Sequence, residues 1–249
     1  MHIDTILSPL ELPALARRDL RGTACVVFDI LRATSTFVTA LQHGAAAVVP
    51  VTEIAKALAL RKEQPEFLLA GERGGLRIRA GQSGGVDFDF GNSPREFTPE
   101  RVRGKTIVST TTNGTRALDS CAGARQVLAA AFLNLAATAE FIRRENFTEV
   151  LLVCSGTGDS VAQEDVLAAG AMVERLAADR SSVSDSSETA RQMYGQAKAD
   201  LTAVIGGSQN GRRLLGLPEL AGDVAYCAQV DIVNLVAEMH SDGALRWAA

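Results

Sequence analysis

Thr106 to Leu118 reads Thr-Ile-Val-Ser-Thr-Thr-Thr-Asn-Gly-Thr-Arg-Ala-Leu, a β-branched run that ends in packed hydroxyls, Asn113, Gly114 and Arg116. A strand that stops at such a turn and restarts as a helix gathers backbone N–H groups, the positive helix end and the hydroxyls of Thr111, Thr112 and Thr115 at one point. Arg116 follows one turn inside, and phosphate is the natural guest of that arrangement. A capped turn with no ligand has the same composition. The second constellation is Val26-Val27-Phe28-Asp29-Ile30-Leu31-Arg32-Ala33-Thr34-Ser35-Thr36. A carboxylate at the end of a buried strand is costly unless it meets a metal, a cation or backbone N–H groups. Arg32, Thr34 and Ser35 stand at the expected start of a helix, where a guanidinium and free N–H groups can hold an anion. The plainer alternative pairs Asp29 with Arg32 and uses the hydroxyls as caps.

Three further blocks could join them. Glu72 and Arg73 lie between glycines, which let a backbone approach a ligand closely. Gly91-Asn92-Ser93-Pro94 is a turn inside a long polar segment. Cys154-Ser155-Gly156-Thr157-Gly158-Asp159 ends an apolar run in small and hydroxylated residues, which suits phosphate or substrate. A phosphocysteine mechanism is contradicted, because Ser160 stands where the C-x5-R pattern needs Arg. Glu164-Asp165 then opens an Ala-rich helix; two acids there suit the helix dipole and would equally suit Mg2+. Asp231 is a lone acid in an apolar, strand-like run.

The elements that must position these residues alternate. Strands are expected at 25–30, 45–51, 67–70, 105–109, 126–130 and 149–154, and helices at 33–44, 53–62, 116–122, 133–146, 164–179 and 189–203. Such alternation predicts a three-layer α/β/α architecture around a largely parallel or mixed sheet, with functional loops at the carboxyl ends of the strands. The whole chain, 1–249, reads as one α/β domain, with two similar lobes left open. Gly71 to Pro99 is too long for an ordinary connection and is expected to be a functional loop. Arg180 to Glu188 is expected to be a solvated excursion.

Composition narrows the function. Hydrophobic residues make up 47% and charged residues 22%, and 25 basic against 29 acidic residues leave a net charge of −4. No basic footprint for nucleic acid is present, and no apolar stretch is long enough to span a bilayer. With no basic, apolar leader at the N-terminus, a cytoplasmic location is expected. Four scattered cysteines and three scattered histidines argue against zinc or disulfide frameworks, and any metal is expected to be Mg2+ on carboxylates. No G-x-G-x-x-G follows the first strand and no Walker Lys appears, so a nucleotide-binding oxidoreductase is unsupported. The Ala-rich helix leaves a homodimer open, since the same pattern would bury within one subunit.

The succession Asp29 to Thr36, Gly71 to Gly75, Phe90 to Pro94, Thr110 to Arg116, Gly156 to Asp165 and Asp223 to Cys227 resembles the 2-phosphosulfolactate phosphatase family along nearly the whole chain. The resemblance implies an α/β/α fold of its own type and a Mg2+-dependent hydrolase that converts 2-phospho-3-sulfolactate to 3-sulfolactate and phosphate, a step of coenzyme M biosynthesis in methanogens. Mg2+ would then rest on Asp29, Glu164 and Asp165, with Glu72 as a further ligand. Arg32, Asn113, Arg116 and the Thr111 to Thr115 turn would serve the phosphoryl group. Thr34, Ser35 and Ser155 would add polar contacts, and Arg73, Asn92 and Ser93 would hold the sulfonate or carboxylate. Asp29 could be ligand, base or nucleophile. The competing reading is a non-catalytic module that binds phosphate or sugar phosphates.

Overall fold

A computed structural model describes residues 1–177 and 181–248. Strands β1 (His2–Ile6), β2 (Thr23–Phe28), β3 (Ala47–Pro50), β4 (Leu68–Arg73), β5 (Leu76–Arg77), β6 (Thr106–Thr110), β7 (Gln126–Ala130), β8 (Glu149–Cys154), β9 (Ser182–Val183), β10 (Ala237–Met239) and β11 (Leu245–Trp247) share one sheet. Its order is β5-β4-β6-β3-β11-β10-β7-β2-β8-β1-β9. Strands β9, β1, β8, β2 and β7 are mutually parallel, as are β3, β6 and β4. The short hairpin β10–β11 joins these blocks through antiparallel pairings on both sides. The sheet is therefore mixed, and the two parallel blocks run in opposite senses.

Helices cover the sheet, so the strands that the sequence displays as unbroken apolar runs are buried on both faces. Every residue of β2 is buried. Register then places the loops. Phe28 pairs with Cys154 and with Ala130, so the chain leaves β2 and β8 side by side, and Gly71 pairs with Thr110, which sets Glu72 beside the turn after β6. A right-handed twist of about 20–25° per pair, accumulated over the pairings between β2 and β6, lets the carboxyl ends of oppositely running blocks converge.

Four expectations are corrected. Gly71 to Arg73 is the end of β4, because Gly71 takes part in the ladder to Thr110. The segment 180–188 is structured where it is described: Ser182–Val183 pairs with β1, and Ser184 caps a helix at Asp185–Ala197. Ser187 anchors that start, fully buried with its hydroxyl on Thr5 Oγ1 (2.7 Å) and the Ile3 carbonyl (3.2 Å); Arg180 and residues 178–179 lie outside the described residues. The helix expected at 189–203 ends at Ala197, and a separate helix Leu201–Gly206 starts at Asp200, whose carboxylate accepts from Ala203 N. Asp231 is neither in a strand nor buried; it accepts from Ala136 N (2.7 Å) at the start of helix Leu135–Arg144 and pairs with Arg175 (2.6 Å).

The Ala-rich helix is Gln163–Leu176. Its Gly170 lies so close to the neighbouring helix that an added Cβ would stand 2.0 Å from the Ala190 carbonyl. Its apolar surface is thus covered within the chain. All four cysteines are buried and unbridged, and among the described residues no helix is long and apolar enough to cross a membrane.

Candidate active site

The loops after β2, β6 and β8 meet at one cavity. After β2 the chain turns at Asp29 into helix Ala33–Gln42. Thr34 fixes that turn, its Oγ1 accepting from Asp29 N (2.9 Å) and donating to Asp29 O (3.0 Å). Asp29 Oδ1 accepts from Ala33 N (3.0 Å), so the first free N–H of the helix serves the aspartate. Its other oxygen faces Gly114, where a Cβ would come within 2.6 Å of it. That close approach is the reason for glycine at the start of helix Gly114–Ser120.

Glu164, in the first turn of helix Gln163–Leu176, is buried behind the cavity wall, where it meets Asn210. Asn210 Nδ2 donates to Glu164 Oε1 (2.7 Å) and to Thr157 Oγ1 (2.6 Å), while Glu164 Oε2 is buried with no hydrogen-bond partner. Asp165, next along, points elsewhere. Its Oδ1 accepts from Ile30 N (2.8 Å) and its Oδ2 from Gly156 N (3.0 Å), tying the loop after β2 to the loop after β8. Glu72 is likewise engaged: Oε1 takes Thr112 N (2.9 Å) and Oγ1 (2.8 Å), and Oε2 takes Gly75 N (2.6 Å).

These acids lie within reach of one another's fields. Burial pushes Asp29 up to about 6, opposed by the Ala33 N–H and reinforced by Glu72 and Glu164. Asp165 is also pushed up, first by burial and then by Asp29 and Glu164. The opposing positive charge is Arg32, buried, donating to Asp223 Oδ2 (2.8 Å) and to the Gly75 carbonyl (2.6 Å). The cavity encloses about 230 Å³. Its wall includes Thr111 to Asn113 and Gly156 to Gly158 with Asp29, Arg32, Glu72, Gly75, Asn92, Asn210 and Arg213.

The sequence matches the 2-phosphosulpholactate phosphatase family model over residues 11–242. The chain belongs to the 2-phosphosulfolactate phosphatase family. A relative named probable 2-phosphosulfolactate phosphatase from Synechococcus sp. (strain JA-3-3Ab) is 38% identical over 99% of this chain and 97% of its own length. Proteins of the same name from Synechococcus sp. (strain JA-2-3B'a(2-13)) and Thermotoga maritima are 41% identical over 88% of this chain and 90% of theirs, and 36% identical over 94% of this chain and 93% of theirs.

In this member of the 2-phosphosulfolactate phosphatase family the residues singled out from sequence divide into wall and support. Asp29, Arg32, Glu72, Asn92, Thr111, Thr112 and Asn113 line the cavity. Asn113 spends its side chain on stitching loops, donating to Ser155 O (2.9 Å) and Gly158 O (2.8 Å) and accepting from Gly158 N (3.1 Å). Ser35 and Thr115 bond back to Ile30 O and Thr111 O and so brace the two turns. Ser155 is buried behind the wall, its hydroxyl without a partner. Arg73 and Ser93 line an adjoining chamber, and Ser93 Oγ donates to Asp223 Oδ1 (2.6 Å). Arg116 is exposed and forms no part of the cavity wall. Among the described residues no group of three or more His, Cys, Asp and Glu side chains is arranged to hold a metal ion.

Asp223, Asn210 and Arg213 were not singled out as site residues. Asp223 lies in a block that carries the family resemblance, and its signal was an acid on the buried face of a helix. Asn210 and Arg213 come from helix Gln209–Leu215, where a lone amide and a lone arginine carry no pattern.

Proposed function

We propose that this chain hydrolyses 2-phospho-3-sulfolactate to 3-sulfolactate and phosphate, with Mg2+ held by Asp29 and Glu164. The observation that carries the reading is Glu164 Oε2, a buried carboxylate oxygen without a partner, close enough to Asp29 to help raise its pKa. A buried anionic oxygen calls for a proton or a cation. Mg2+ is commonly bound by one or two carboxylates, with water and substrate phosphate completing its shell, so the donor set fits without a third acid. Glu72 and Asp165 have both oxygens on backbone N–H groups and serve to position the loops. Mg2+ bound there would supply charge neutralisation and polarisation of the phosphoryl group.

The chain's own residues do the rest. Arg32 is clamped by Asp223 and Gly75 and keeps a fixed charge beside the equatorial phosphoryl oxygens. The Thr111 to Asn113 turn offers backbone and hydroxyl donors. Arg213, exposed on the rim and in no ion pair among the described residues, adds a second positive charge. Asn92 lines the side on which the cavity meets the chamber of Arg73, where the substrate's sulfonate or carboxylate would lie. Buried, unbridged cysteines are compatible with a cytoplasmic enzyme.

The test is phosphate release from racemic 2-phospho-3-sulfolactate, phospholactate and an aryl phosphate, each with Mg2+ and with EDTA. Mg2+-dependent release that favours the sulfonated substrate is expected. Equal efficiency on phospholactate would reject the sulfonate specificity, and no release from any substrate would favour a phosphate-binding module.

A further inference from the structure

Arg32, Gly75 and Asn92 border a second chamber as well as the phosphate cavity, and it is the larger, about 490 Å³ against about 230 Å³. A three-carbon ester that reaches this chamber only with its sulfonate or carboxylate fills a small part of its roughly 490 Å³. Three arginines line it besides Arg32. Arg73 is held only by neutral acceptors, Glu72 O (2.6 Å), Thr110 O (3.3 Å) and Thr110 Oγ1 (3.1 Å). Arg77 donates to Asp89 O (3.1 Å), and its Nε is buried without a partner. Neither pairs with a carboxylate among the described residues. Arg79 stands 3.8 Å from Asp87 in an exposed pair, which holds it weakly.

Two acids face these cations. Glu96 accepts from Gly91 N (3.2 Å), and Glu219 lies on the wall. The chamber is thus mixed in charge, and Arg73 and Arg77 are its cations without a carboxylate partner among the described residues. Asn92 supplies the second observation: it is 5% exposed and its Oδ1 is buried with no partner. An orphaned acceptor between the two spaces calls for a donor, and a ligand hydroxyl is the simplest one.

Resting on the phosphatase reading, we infer that the substrates of this chain include phosphomonoesters of hydroxy acids longer than three carbons. The ester phosphate would occupy the first cavity, a hydroxyl would donate to Asn92, and the terminal carboxylate or sulfonate would meet Arg73 and Arg77. The bond broken is the same ester bond: water adds to phosphorus, the alkoxide leaves and is protonated, and inorganic phosphate and the free hydroxy acid result. No further reactant is needed.

The experiment is a chain-length series of terminal phosphates, 3-phosphoglycerate, 4-phosphoerythronate and 6-phosphogluconate, assayed with the full chain and Mg2+. kcat/KM is expected to rise at least about tenfold from the three-carbon to the longer acids. Arg77→Ala should abolish that gain mainly through KM, and Arg77→Lys should restore part of it. A flat or falling series, or an Arg77→Ala loss equal on every substrate, overturns the inference. Calorimetric binding of 6-phosphogluconate to wild type and Arg77→Ala reads the chamber without turnover, and equal affinities would overturn the inference too. Loss of turnover on every ester, with the calorimetric difference intact, would instead condemn the phosphatase reading.

Discussion

Asp223 is the residue whose loss should separate stability from chemistry. Its side chain is fully buried, and that of Arg32 is 2% exposed. Arg32 lies 2.8 Å away, Ser93 Oγ 2.6 Å, and the half-exposed Arg95 3.7 Å. Asp223→Ala leaves the Arg32 guanidinium buried with the Gly75 carbonyl as its hydrogen-bond acceptor and no carboxylate in contact among the described residues, and breaking a buried pair by removing one partner costs about 3–5 kcal/mol. The contact to Arg95 adds little because water screens it. At about 2–4 °C per kcal/mol for a chain of this length, melting should fall by roughly 6–20 °C. Urea unfolding of wild type and variant measures the cost directly. The double variant Arg32→Met, Asp223→Leu removes both charges and should regain most of the lost stability, yet release no phosphate. A cost below about 1 kcal/mol for Asp223→Ala, or a double variant that turns over at the wild-type rate, would refute the argument that this pair holds a working guanidinium in place.

Three other outcomes follow from the same geometry. In EDTA, Asp29 binds its proton more tightly in the folded chain, at about 6 against an ordinary 3.8. The folded state then carries the extra proton, so stability should fall as pH rises from about 4 to above 6, by on the order of 2–3 kcal/mol from Asp29, and urea titrations of Asp29→Asn should show a smaller fall, the remainder belonging to Asp165, which is also pushed up. Gly114→Ala would press a Cβ against Asp29 Oδ2 at 2.6 Å and Ala33 Cβ at 2.7 Å; phosphate release should drop at least about tenfold, with a stability loss of roughly 1–3 kcal/mol, as kinetics and thermal melts will measure. Glu164→Gln retains the shape and removes the charge, so calorimetric Mg2+ affinity should weaken at least about 10-fold, and unchanged affinity would remove Glu164 from the proposed ligand set.

The parts of this molecule that were legible in the chain are those where one local rule decides. Residues 126–130 and 149–154 are the strands β7 and β8, because central parallel strands must be apolar throughout. The hairpin β10–β11 has no such signature; each strand has three residues, and its place between the two parallel blocks is settled by long-range pairing. At the site, Asp29 was visible as a strand-end acid followed by hydroxyls. Glu164 and Asp165 were not distinguishable, since neighbours on a helix point about 100° apart and only the surrounding loops decide which one meets backbone N–H groups and which keeps a free oxygen. The same geometry removes Arg116. In helix Gly114–Ser120 the buried residues are Gly114, Thr115, Ala117 and Leu118, so residue 116 faces solvent. In the proposed site the positive charge that the turn after β6 calls for would come instead from Arg32 and Arg213, which line the same cavity on segments brought there by the fold. The proposed anion site, assembled from three loops, is therefore readable in its acids and turns, whereas its cations become assignable only when the distance to each loop is known.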